Sequence, residues 1–150
     1  MPDSYSYLDL QNTINNLIAH FGLDRTVELL ESHVQSDLNA RKEERLVFIF
    51  EWLVGKVAHA YLIQPLRLIN SPKRTSDLSE ARSILFHLLN QVVGYSKRQV
   101  GDLAGRRPWS TIHYLVGRCE ERLTMPQQNQ HFCEKYNRLK TELLNFIAKQ

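Results

Sequence analysis

The sequence predicts an all-α helical bundle, and three observations carry that prediction. Apolar residues recur every three or four positions along the chain, capping patterns open several of these runs, and Gly or Pro closes them. The 150 residues are 43% hydrophobic and 23% charged, an ordinary composition for one domain, or for a domain with a small partner bundle. A chain of that length buries roughly two-thirds of its unfolded surface, so it needs neither disulfides nor a metal to fold.

The elements follow in order. Tyr7, Leu10, Ile14, Leu17, Ile18 and Phe21 keep the 3.6-residue period, and Gly22 supplies a stop. Asp24 fits the N-cap of a second helix with Val27, Leu30 and Val34 inward. A third helix is expected from near Ala40 to about Ile63. Its stretch Leu46–Val54 is apolar on nearly every side, which suits a central helix or one shared in a homodimer through Leu46–Tyr61. Gln64-Pro65 and Asn70-Ser71-Pro72 punctuate the middle, because proline and the residue before it resist helix. After the exposed basic stretch Lys73-Arg74-Thr75-Ser76, Asp77-Leu78-Ser79-Glu80 has capping-box spacing. The helix behind it presents Ala81, Ile84, Leu85, Leu88, Val92 and Val93 inward and ends at Gly94.

Charge is unevenly placed. Residues 1–70 hold 6 Lys+Arg against 9 Asp+Glu, a net of −3, whereas residues 71–150 hold 13 against 7, a net of +6. Such asymmetry is the cue for a polyanion partner on one half. Cys119 and Cys133 form no C-x-x-C pair, which points to a reducing compartment rather than a disulfide scaffold. Met1-Pro2-Asp3-Ser4 has no leader character, and the apolar run Leu46–Gly55 is too short and too charged to span a bilayer. The expectation is a cytoplasmic protein without a membrane contact.

Tyr95 to Leu123 is the informative segment. Ser96-Lys97-Arg98-Gln99 is a second capping-box pattern, opening a short helix with Val100, Leu103 and Ala104 inward. Gly105 can take positive φ, and Pro108 suits the first turn of the next helix. A short helix, a glycine turn and a longer helix read as helix-turn-helix. At about 100° per residue, Ile112, Leu115, Val116, Cys119 and Leu123 form one buried stripe. Ser110, Tyr114, Gly117 and Arg118 lie opposite, with Thr111 at the edge and Arg106, Arg107 and Trp109 at the N-terminal end. Guanidinium and hydroxyl groups there suit base edges or phosphates, and Lys97 and Arg98 suit phosphates.

The gapless run Val92-Val93-Gly94-Tyr95-Ser96-Lys97-Arg98-Gln99-Val100-Gly101-Asp102-Leu103-Ala104-Gly105-Arg106-Arg107-Pro108-Trp109-Ser110-Thr111-Ile112 resembles a pattern of the bacterial replication initiator DnaA family, L-x-x-x-S-x-x-x-I-G-x-x-F-G-G-R-D-H-[ST]-T-V. The likeness is to the family's C-terminal DNA-binding domain. It extends back through Val57 to Arg74 and forward to a last helix with Phe132, Tyr136, Leu139, Leu143 and Phe146 inward. It covers roughly 90 of 150 residues and leaves residues 1–50 without a counterpart. The resemblance implies a DnaA C-terminal-like, Trp-repressor-like helix-turn-helix over 57–150, after an N-terminal helical segment, 1–56, of unstated role.

By position, the resemblance places Arg74 of the Lys73-Arg74 loop toward the minor groove. It makes Arg82, Ser83, Lys97 and Arg98 phosphate contacts, matches Arg107 to the motif arginine, and sets Trp109, Ser110 and Thr111 at base-reading positions. The departures are Arg106 for the second glycine, Pro108 for the aspartate and Trp109 for the histidine. Pro108 cannot accept a hydrogen bond from a base through its side chain, so the family's sequence preference is not expected to carry over. The family's ATPase module is also missing, since no G-x-x-x-x-G-K-[ST] occurs.

Catalytic readings find little support. His113, Cys119, His131 and Cys133 fit no usual zinc spacing, and the six histidines are scattered. The expectation is therefore a non-enzymatic double-stranded DNA-binding protein without cofactor or metal, bacterial and nucleoid-associated, regulatory or replication-linked. Its recognition helix runs from about Pro108 to Leu123. The alternative is a protein–protein adaptor whose helix-turn-helix has lost DNA binding.

Overall fold

The computed structural model describes residues 4–149, which form seven helices and no strand. Met1, Pro2 and Asp3, part of the leader reading, lie outside the described residues. Helix α1 (Tyr7–Phe21) opens on a capping box: the Ser6 hydroxyl accepts from the Asp9 N–H, and the Asp9 carboxylate accepts from the Ser6 N–H at 2.9 Å. It ends at Gly22, φ +81°.

Helix α2 (Leu23–Ala60) is continuous where the sequence predicts two helices. Nothing between Ser36 and Arg45 breaks it, and the i,i+4 pairs Gln35–Asn39 and Asp37–Arg41 bridge the expected gap. Asp24 consequently sits in the first turn of α2 and not at an N-cap. Val27, Leu30 and Val34 face outward as well, at 44%, 41% and 57% exposure.

The chain divides into two compact units, one ending at Arg45 and the other beginning at Leu46. The boundary expected after residue 56 moves toward the N-terminus because Ile49, Phe50, Leu53 and Val54 are buried in the core of the second unit. In the first unit, α1 has no buried residue, and among the described residues only Thr26 is buried.

The second unit holds the core. Residues 46–60 of α2 are followed by α3 (Pro65–Asn70), α4 (Ser76–His87), α5 (Lys97–Leu103), α6 (Trp109–Leu123) and α7 (Gln130–Ala148). Much of the apolar stretch of Leu46–Tyr61, which suits a central helix or a homodimer face, is buried within the chain, while Val47 and Phe48 stay 41% and 52% exposed. Ile49, Phe50, Leu53, Val54, Val57 and Ala58 are all buried, and Trp52 stacks on Phe146 of α7 at 4.2 Å. Helix α4 is capped by the Thr75 hydroxyl, two residues before the expected Asp77, and runs into a π-helical turn, Leu88–Val93, closed by Gly94 at φ +93°. The capping box at Ser96 and Gln99 forms as expected.

Between α5 and α6 the chain turns over Ala104–Pro108. Gly105 and Arg106 both take positive φ, +75° and +58°, and the Arg107 N–H donates to the Gly101 carbonyl at 2.9 Å. A Cβ at Gly101 would collide with the Arg107 carbonyl, so this helix position accepts only glycine. Helix α6 then buries Ile112, Val116 and Cys119, with Leu115 and Leu123 half-buried, and packs on α4. That stripe is the one the helical period predicts.

Candidate functional site

The N-terminus of α6 borders a cleft of about 430 Å³, lined by Arg74, Ser79, Arg82, Arg107, Pro108, Ser110, Thr111, Tyr114 and Leu115. Three separate parts of the sequence meet there: the loop before α4, the start of α4, and the turn into α6. No carboxylate lines it. Helix α6 adds its own positive end, because Pro108 is an N-cap without a side-chain hydrogen bond and the first turn carries no acidic residue.

Arg82 does not face this cleft as a free cation, which corrects its expected role as a phosphate contact. It is 3% exposed, and its guanidinium donates to four backbone carbonyls: Leu68 at 2.7 Å, Lys73 at 2.8 Å, Ser71 at 2.6 Å and Arg67 at 3.3 Å. These are the end of α3 and the loop after it, so Arg82 holds the basic loop in shape. Burial, with the neighbouring Arg107 charge, lowers its pKa to about 10. Ser83 is corrected likewise: it is buried, and its hydroxyl donates to the Glu80 carbonyl at 2.7 Å inside α4.

Arg107 is half-buried and donates to the Ile69 carbonyl at 2.7 Å, tying the α5–α6 turn to α3. Its Nε is buried without a hydrogen-bond partner. Burial lowers the Arg107 pKa, and the charge of Arg74 lowers it further. Arg74, Arg82 and Arg107 therefore repel one another around an opening without an acidic counter-ion. Such a site stabilises an anion placed in it.

A second group lies beside the start of α5. Lys97, Arg98 and Trp109 line an open depression with Asn90, Gln91 and Ser96. The Lys97 ammonium lies 2.8 Å from His113 Nδ1, and the Trp109 ring stacks on His113 with centroids 5.0 Å apart. Trp109 stays 55% exposed, so its other face is available. From the sequence, His113 is considered only as a zinc ligand; its i,i+4 spacing from Trp109 is the signal that joins them. Ser79 was also missed, three residues before Arg82 on the first turn of α4.

Ser110 and Tyr114 are exposed, Thr111 is half-buried, and all three share the cleft. Arg98 and Arg106 are exposed. Arg118 lies further along α6 and pairs with Glu121 at 3.2 Å, apart from both groups. No three His, Cys, Asp or Glu residues among those described are placed to hold a metal ion. No helix among them is long and apolar enough to cross a membrane.

The comparisons with known proteins add no relative: no family model, no curated protein and no solved structure matches this chain.

Proposed function

We propose that this protein binds double-stranded DNA without catalysing a reaction, as a regulatory or replication-linked factor in the bacterial cytoplasm. In this reading α5, the turn at Ala104–Pro108 and α6 form a helix-turn-helix of the DnaA C-terminal type. Helix α6 enters the major groove, and the Lys73-Arg74 loop faces the minor groove. The observation that carries the reading is the convergence of Arg74 and Arg107 on the uncapped N-terminus of α6, in a cleft without carboxylates and beside Ser110, Thr111 and Tyr114. Helix N-termini and guanidinium groups are the usual partners of phosphate oxygens.

The roles divide by exposure. Arg74, Lys97 and Arg98 act on phosphates, and Arg107 braces the turn while lending its charge to the cleft. Ser110, Thr111 and Tyr114 meet base edges or sugars. Trp109, stacked on His113 and 55% exposed, offers an apolar surface for a thymine methyl.

Binding to random and selected duplexes, measured across salt, tests this. The logarithm of affinity should fall linearly with the logarithm of salt, by about 0.9 per phosphate contact. Arg74→Ala and Lys97→Ala should weaken all duplexes alike, each flattening that slope by about 1, whereas Thr111→Ala should change which duplexes are preferred. Absence of any binding at about 50 mM salt would leave the adaptor reading in its place.

A further inference from the structure

Lys97 and Trp109 belong to different helices and are joined by one ring. Lys97 opens α5, Trp109 opens α6, and His113 lies one turn further along α6. The Lys97 ammonium is 2.8 Å from His113 Nδ1. The Trp109 indole lies flat on the same imidazole, with 7° between the ring planes and 5.0 Å between centroids. His113 is itself exposed, so its ring is not there to fill the core.

The chemistry of the two contacts sets what His113 can do. An ammonium only donates, so Nδ1 accepts and the proton of the neutral ring sits on Nε2. A carboxylate in that place would hold Lys97 and cancel its charge, whereas a ring nitrogen holds it and leaves the charge whole. Lysine has one of the most flexible side chains, and ordering it on binding lowers affinity. A lysine already held escapes much of that loss. The stack does the same for Trp109, which stays 55% exposed. Among the described residues, no carboxylate lines the depression that Lys97 and Trp109 share.

We propose that His113 is the positioning residue of the DNA-binding face. From a single imidazole it holds the Lys97 ammonium ready for a phosphate and the Trp109 ring ready for a base. This role rests on the DNA reading above and adds to it a residue that acts through two others.

Two substitutions separate the contacts. His113→Asn keeps an acceptor oxygen near the place of Nδ1 and removes the ring, and His113→Phe keeps a ring and removes the acceptor. In the free protein, nitrogen NMR should find the neutral His113 ring protonated on Nε2. The Trp109 indole N–H signal, assigned by its loss in Trp109→Phe, should move further in His113→Asn than in His113→Phe. On DNA, His113→Phe should weaken random and selected duplexes alike, by about 3- to 10-fold. The salt slope should stay, because Lys97 is still present but no longer held. His113→Asn should keep general affinity and narrow the gap between selected and random duplexes. Neither effect should survive on its own background, Lys97→Ala for the first and Trp109→Ala for the second.

A free-protein ring protonated on Nδ1 overturns the proposal without any duplex. Variants that act alike, or that act in full on those backgrounds, overturn the positioning role while DNA binding stands. Absence of binding by the unaltered protein overturns the DNA reading itself, and this role with it, whatever the NMR result.

Discussion

At the scale of single residues, arginine position and arginine role separate. Arg82 and Arg107 sit in the basic half that the sequence singles out, yet Arg82 spends its guanidinium on four backbone carbonyls and is 3% exposed. A phosphate contact would have kept it in solvent. Sequence spacing could not show this, because its four acceptors lie 9 to 15 residues away in α3 and the following loop. Arg82→Leu leaves those buried carbonyls without donors and should cost about 3 kcal/mol in urea unfolding. Arg82→Lys should recover only part, since a single ammonium cannot reproduce the planar fork. At temperatures where Arg82→Lys remains folded, its salt slope on DNA should match that of the unaltered protein. A slope lowered by about 1 would return Arg82 to the phosphate set.

At the scale of elements, legibility followed how local the cause was. The stripe of α6, the cap of α5 and the glycine stops at Gly22 and Gly94 were readable because each depends on neighbours within a turn or two. The join of the two expected helices into α2 is less legible, because the polar run Ser36–Arg45 interrupts the apolar period without a Gly or Pro to break the backbone. The contact joining α4, α6 and α7 was invisible for the opposite reason, since its partners are distant in sequence. His87 is buried, its Nδ1 2.8 Å from the Tyr136 hydroxyl and its Nε2 3.7 Å from Glu120. Burial raises the Tyr136 pKa, so its phenol keeps its proton. Burial also lowers the His87 pKa, with Glu120 opposing and Lys140 adding to the shift. A histidine whose folded pKa lies below its unfolded value of about 6.5 contributes its full stability above that pH. The contribution is lost as pH falls toward and through the folded pKa. Urea midpoints should therefore decline below about pH 6.5, and His87→Gln should flatten that part of the profile. Tyr136→Phe should cost about 1 kcal/mol at pH 8, where the imidazole is neutral.

At the scale of the whole molecule, composition described an average of two unlike parts. Every buried apolar side chain among the described residues lies between Ile49 and Leu143, while the unit ending at Arg45 exposes most of its apolar surface. Periodicity placed Val27, Leu30 and Val34 on one face correctly, but a stripe reads the same whether a helix covers it from its own chain or from another. Burial decides between those, and it leaves the stripe open. The two parts should then respond separately to truncation. A chain lacking residues 1–41 retains the whole buried core and the cleft at α6, so it should unfold cooperatively with a Tm within about 4 °C of the full chain's core transition. Scanning calorimetry of the full and the shortened chain checks this. A truncated chain without a cooperative transition would mean that residues 1–41 belong to the folding unit, and that the core from Ile49 to Leu143 is insufficient by itself.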